Sequence, residues 1–286
     1  MSTRERAKNL HVRAFSLLEL IAVIVVLGLL LATFIPYAFS LRENARRTRC
    51  TEQLRQISTA LSTYASTNDW NYPRTRASAE PSNAWTSFTG ANDANPFADD
   101  SKVEPNDVTA PLWLLVRLRL IEPSAFICPS SYGTADDASQ RELRGNFRSP
   151  KNLTYSYATP YSSIPEYKLN DTLPARFALM SDQAPNLANQ RIPRADTGFG
   201  LARGNSPNHG GAGQTVLFAD GSVRFEASPY CGVARADAPQ GDNIFTALER
   251  KPLVVEVAPD DPGVVVNQEI GPSYRYDSVL VPAARD

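Results

Sequence analysis

Histidine, methionine and cysteine are scarce in this chain: two, two and three respectively among 286 residues. Cys50, Cys128 and Cys231 form no C-x-x-C pair, so the spacing that marks a zinc finger or ribbon is missing and no zinc site is expected. His11 sits in a basic N-terminal stretch, which leaves His209 as the one imidazole in the rest of the chain. That excludes H-E-x-x-H chemistry and two-histidine metal sites. Excess charge of one sign is also lacking. Lys plus Arg number 29 and Asp plus Glu 30, for a net charge of −1, which gives no reason to expect a nucleic-acid partner. No activated serine or cysteine motif is present, and no internal repeat. Long apolar runs are absent too, with one exception.

The exception runs from Phe15 to Ile35 and is apolar apart from Glu19 and a few small polar residues. As a helix it covers roughly 31 Å, close to the hydrocarbon thickness of a bilayer. A secretory signal peptide would have a shorter apolar region followed by a small-x-small cleavage site. This run is full length and continues into a helical pattern. A carboxylate inside a membrane helix costs about 2.5–3.5 kcal/mol near the centre and less near an end, so Glu19 calls for a partner or an interfacial position. Basic residues flank both ends. Arg4, Arg6, Lys8 and Arg13 precede the run, while Arg42, Arg46, Arg47, Arg49 and Arg55 follow it, so the positive-inside rule does not decide orientation.

The words around the start of the run, R-A-F-S-L-L-E-L from Arg13 to Leu20, resemble the cleavage and methylation motif of type IV prepilins and type II secretion pseudopilins. Their pattern is usually written G-F-T-L-I-E-L; here Ala14 stands where that family has glycine. The resemblance implies a leader, residues 1–14, removed by a prepilin peptidase between Ala14 and Phe15, with methylation of the new N-terminal Phe15. It implies a single pass through the inner membrane by residues 15–39, with the leader cytoplasmic and the bulk extracytoplasmic. It also implies partners: the peptidase/methyltransferase, the lipid bilayer, and other pilin-like subunits whose N-terminal amine meets Glu19 in a filament.

Beyond Pro36 the helical pattern is expected to continue, with a kink. Cys50, Leu54, Ile57, Leu61 and Tyr64 recur at spacings of four, three, four and three, which marks one apolar face. Residues 40–68 are therefore read as an amphipathic continuation that a sheet must cover, and Cys50 as a small apolar packing residue. This stretch resembles the planctomycete-type DUF1559 family, which reads R-R-x-Q-C-x-N-N-L-K-Q-I-G-L-A-L-H-N-Y here. The match falls on Cys50, Leu54, Gln56, Ile57, Ala60, Leu61 and Tyr64. The implied fold is α+β and pilin-like, a long N-terminal helix packed on an antiparallel sheet with long loops.

Residues 69–286 read as a loop-rich globular domain, consistent with 22 prolines falling mostly after Tyr72. Thr75 to Pro111 is expected to lack regular structure, and Pro111 to Ile121 to form a short helix with proline in its first turn. Phe126 to Ser130 reads as a strand end turning at Pro129. The alternation at 153–158 and the run 176–182 predict strands, with Asp182 read as a turn residue in preference to a ligand. Late strands are expected at 253–257 and 264–266, and a frayed terminus from Pro282. In an oxidising compartment Cys128 and Cys231 are the pair considered for a disulfide.

Asn208 to Phe225 contains N-H-G-G and V-L-F-A-D-G, a glycine loop followed by a hairpin whose Asp-Gly turn tolerates positive φ. It resembles the H-x9-DG signature of the same family, with one extra residue between His209 and Asp220. His209, Asp220 and Gly221 are expected to be structural, and no catalytic residue or cofactor is assigned. Calcium, with Asp182 or Asp220 as oxygen ligands, suits the residues better than zinc. Three functions remain in view: a filament subunit, a membrane-anchored binding module that never polymerises, and, least favoured, a hydrolase or metal enzyme using His209 and Asp220.

Overall fold

The computed structural model describes residues 16–78, 84–186, 191–192, 204–234, 241–247, 264–265, 271–272 and 274–282. Contacts divide the chain into two compact units, Met1–Asn44 and Ala45–Asp286. Helix α1 spans Leu17–Ser66, 50 residues, and runs without interruption through Pro36. The boundary between the units thus falls inside the helix, a few residues beyond the 39/40 division read from the sequence.

In the first unit the helix is long and apolar enough to cross a bilayer, and Leu17, Leu20, Ile24, Leu27, Leu31 and Phe34 are all exposed. The helix begins with Ser16, whose Oγ accepts the backbone N–H of Glu19 at 3.2 Å. Ser16-Leu-Leu-Glu19 is thus a capping-box sequence, and it places a carboxylate in the first turn, where the helix dipole favours negative charge.

In the second unit α1 buries one seam: Cys50, Leu54, Ile57, Leu61 and Ala65. The predicted face holds from Cys50 to Leu61, because residues three and four apart share a face; at its end Ala65 takes the buried place, and Tyr64, expected there, is half-buried beside it. Each such Leu or Ile contributes roughly 1.5–3 kcal/mol over leaving it in water. Helix α2, Ala110–Arg117, has Pro111 in its first turn and is buried from Ala110 to Val116. Its first turn is capped from outside: Asp107 Oδ1 accepts the N–H groups of Thr109 and Ala110 at 2.8 and 2.9 Å.

The strands are β1 (Tyr155–Ala158), β2 (Ala178–Asp182), β3 (Arg191–Ile192), β4 (Gln214–Phe218), β5 (Val223–Glu226), β6 (Val264–Val265) and β7 (Leu280–Val281). Five of them form an antiparallel sheet in the order β5-β4-β2-β1-β7, and β3 pairs with β6 separately. Strands β1, β2 and β4 are buried at every position, so the centre of the sheet is covered on both faces. The expected α+β arrangement, a long helix with an antiparallel sheet, is the one observed.

Some expectations need correction. The Phe126–Ser130 segment is not a strand end: a 3-10 turn, Pro123–Phe126, precedes Cys128, because Pro123 sets the φ that opens it. Pro282 itself is not frayed, and residues 283–286, the rest of that expectation, lie outside the described residues. Pro282 is buried, and its carbonyl accepts the hydroxyl of Ser156 at 2.7 Å, since β7 pairs with β1. The strand expected at 253–257 lies outside the described residues.

Candidate functional site

Four chain segments meet where α1 crosses the end of β2. Cys50 comes from the buried seam of α1. Gln53, one turn on, fixes the neighbourhood. Its Oε1 accepts the hydroxyl of Tyr155 in β1 at 2.8 Å, and its Nε2 donates to the carbonyls of Ser124 and Ile127 at 3.2 and 2.9 Å. These bonds hold the helix against the segment that carries Cys128. Cys128 is pinned in turn by its N–H, which donates to Thr154 Oγ1 at 2.7 Å, while the Thr154 N–H donates to the Phe126 carbonyl at 3.0 Å.

Asp182 ends β2 opposite Tyr155 of β1 and is fully buried. Its Oδ2 accepts the backbone N–H of Thr215 at 2.6 Å, and its Oδ1 lies 3.4 Å from the side-chain amide of Asn208. His209 follows in a 3-10 turn, Asn208–Gly211. It adopts φ 57° and ψ 25°, and Gly210 and Gly211 continue with φ 66° and 74°. This left-handed run explains N-H-G-G. The two glycines take positive φ freely, and the histidine is held in a sparsely populated region, as occurs at sites where the ring position matters. Nε2 of His209 lies 3.3 Å from Asp182 Oδ2 and 3.5 Å from Cys128 Sγ. The ring also meets Phe225 edge-on, with centroids 5.9 Å apart.

The sulfurs of Cys50 and Cys128 are 2.7 Å apart. Cys50, Cys128, Asp182 and His209 together bring four donor atoms within 4.8 Å of one another, and all four residues are buried. Electrostatics follow from this crowding. The thiol of Cys128 stabilises a thiolate on Cys50 and holds the Cys50 pKa down to about 6, against the opposing effect of burial. Cys128 is driven far above the ordinary thiol range, first because its proton is shared with Cys50 and then because it is buried. Burial, followed by the nearby Asp182 charge, raises Tyr155 well above a normal tyrosine.

A closed set of two thiols, one imidazole and one carboxylate is the donor chemistry of a structural zinc site. The 3.3 and 3.5 Å separations fit the edges of such a tetrahedron. The sulfur pair does not, because two thiolates each about 2.3 Å from one zinc ion stand roughly 3.7 Å apart.

The residues singled out from sequence fall in different places. Ala14 and Phe15 lie outside the described residues. Glu19 lies in the first turn of α1. Asp220 and Gly221 form the turn between β4 and β5: Asp220 Oδ1 accepts the Ser222 N–H at 2.9 Å, and Gly221 takes φ 78°. His209 therefore finds its carboxylate in Asp182. The reading of Asp182 as a turn residue is corrected, since it ends a buried strand and accepts a bond from the neighbouring one. The Cys128–Cys231 pairing is corrected as well. Cys128 faces Cys50, while Cys231 is buried in separate surroundings where its thiol is pushed up by burial. The expectation that no zinc-type ligand set exists rested on local spacing, and these four residues come from positions too far apart for spacing to register them.

A family model described as a protein of unknown function, DUF1559, matches residues 40–189, just over half of the chain. The chain belongs to the DUF1559 family. The matched DUF1559 region contains Cys50, Cys128 and Asp182 and stops before His209. Comparison with curated proteins and with solved structures gives no match.

Proposed function

We propose that this DUF1559 protein is a prepilin-like subunit, cleaved between Ala14 and Phe15 and assembling through its N-terminal helix into a type IV pilus-like or type II secretion-like filament. One observation carries the reading: a single helix, Leu17–Ser66, joins an exposed apolar half bearing one carboxylate to a half that is a seam of the globular core. A rod that is greasy along every side at one end and core-forming at the other suits subunits that pack their helices together while displaying their domains. Glu19 then serves to meet the amine of Phe15 on a neighbouring subunit, which offsets the cost of placing it in an apolar setting. The leader lies in the cytoplasm, residues 15–39 cross the inner membrane, and the domain is extracytoplasmic.

A second reading has one observation in its favour. Ser16 caps the helix through the Glu19 N–H, and a carboxylate in the first turn sits at the positive end of the helix dipole, so Glu19 also has a local use in a plain anchor. The protein would then be a tethered binding module that does not polymerise. Mass spectrometry of the mature N-terminus separates the two. A chain beginning with methylated Phe15 is expected, and a mature protein that still begins at Met1 removes the filament reading.

A further inference from the structure

The four buried side chains where α1 meets the end of β2 hold one contact that ordinary packing does not explain. Asp182 is accounted for by three partners: the Thr215 N–H, the Asn208 amide and the His209 ring. His209 has Asp182 and the edge of Phe225. The sulfurs of Cys50 and Cys128, at 2.7 Å, stand nearer than two unbonded thiols rest and nearer than two ligands of one metal ion. They are also well within reach of a bond whose length is about 2.05 Å. The Gln53 bonds to Tyr155, Ser124 and Ile127 keep the two sulfur-bearing segments together whether or not the sulfurs are joined.

We propose that Cys50 and Cys128 close into a disulfide that clasps α1 to the segment before β1, with Cys231 left as a free buried thiol. The clasp rests on the reading that this domain is exported, because such bonds persist in oxidising compartments and are rare in the cytoplasm. Its chemistry is thiol–disulfide exchange with a low-molecular-weight or protein disulfide as oxidant. One protein thiolate attacks the S–S bond of the oxidant, forming a mixed disulfide and releasing one oxidant thiolate. The second cysteine, as thiolate, attacks the protein sulfur of that mixed disulfide and expels the other oxidant thiolate. The protein loses two protons and two electrons, and the oxidant's disulfide becomes two thiols. Neither cysteine is exposed in the folded domain, so exchange occurs before α1 docks and the finished bond is shielded from reduction.

The bond joins residues 78 apart in sequence, so it restrains a long loop in the unfolded chain and adds to the hold on the helix. In a filament that bears tension, the helix is the part pulled, and the clasp ties that part to the domain.

The test uses the full chain taken from membranes in detergent, denatured with maleimide present so that every free thiol is labelled, and digested without reduction. Expected is a cross-linked pair of peptides, one holding Cys50 and the other Cys128, lighter by two hydrogens than their sum, with Cys231 carrying maleimide. A melting temperature that falls on reduction in the native chain, and ignores reductant in the Cys50→Ala/Cys128→Ala variant, supports the same conclusion. A Cys128–Cys231 cross-link overturns the proposal, as does one equivalent of zinc whose removal from the denatured chain leaves both cluster thiols open to alkylation. The same chain is also unfolded and refolded in mixed oxidised and reduced glutathione. If the two thiols stay open there, the clasp is overturned whatever the compartment. If they close there yet are open in membrane-derived protein, the clasp chemistry stands and the exported placement fails.

Discussion

The Asp182 carboxylate lies 3.3 Å from the imidazole of His209, and neither side chain is exposed. A buried carboxylate held by one ring, one backbone N–H and one side-chain amide is costly to disturb, because removing it strands donors that water cannot reach. Asp182→Ala is expected to destabilise the domain by about 2–3 kcal/mol, the upper range for leaving buried donors without an acceptor. Urea unfolding followed by intrinsic fluorescence measures it. A loss below about 1 kcal/mol, the level of a surface pair, would mean that the two groups do not depend on each other.

Asp107 gathers six donors. Oδ1 accepts the N–H and hydroxyl of Thr109 and the N–H of Ala110, while Oδ2 accepts the N–H and hydroxyl of Thr89 and the amide of Asn146. It ties the irregular 84–109 region to the start of α2. Asp107→Asn turns one acceptor into a donor among donors, and a cost of about 2–4 kcal/mol is expected. Protease sensitivity between Thr86 and Thr109 should rise in step, and unchanged resistance would refute the role given to this residue.

Alkali should unfold the domain through its tyrosines. Tyr155, Tyr157 and Tyr167 are pushed well above the ordinary tyrosine value by burial, and Tyr161 is pushed up to about 12 by the same cause. Folded values raised above unfolded ones favour the neutral form. Their contribution is intact below about pH 10 and is lost as pH rises past it, where the unfolded chain ionises first. Tyrosinate absorbance is therefore expected to appear together with loss of structure between pH 10 and 12. Smooth ionisation near pH 10 in a chain that keeps its fold would contradict the burial of these rings.

Glu19→Ala is expected to leave membrane insertion intact and abolish filament assembly. Insertion depends on the apolar run, which gains from losing a charge. Carbonate extraction reads insertion, and electron microscopy of sheared surface material reads assembly. Normal filaments from this variant would leave Glu19 with only its place at the positive end of the helix dipole.

How far the sequence revealed these features depended on whether the signal was local. The seam of Cys50, Leu54, Ile57 and Leu61 was legible because a helix repeats every three to four residues. Strands β1, β2, β4 and β5 were legible because alternation and an Asp-Gly turn are local too. The burial of Asp182 was not, since a carboxylate ending a strand reads the same whether solvent or a histidine follows. Nor was the meeting of Cys50 with Cys128, which joins segments 78 residues apart that only tertiary packing brings together. Strand β7 was hidden for a related reason. Two residues carry no periodicity, and only their pairing with Tyr157 and Ala158 defines them as a strand.

That last pairing has a consequence for synthesis. Strand β1 waits for a neighbour that leaves the ribosome roughly 120 residues later, so its outer edge stays bare while that stretch is made, and such long-range pairing closes slowly. A stop codon at or before Leu280 would leave the edge permanently open. Backbone groups of Tyr157 would then be free to recruit a strand from another molecule, and the failure to expect from such a truncation is aggregation, with the apolar half of α1 itself unharmed.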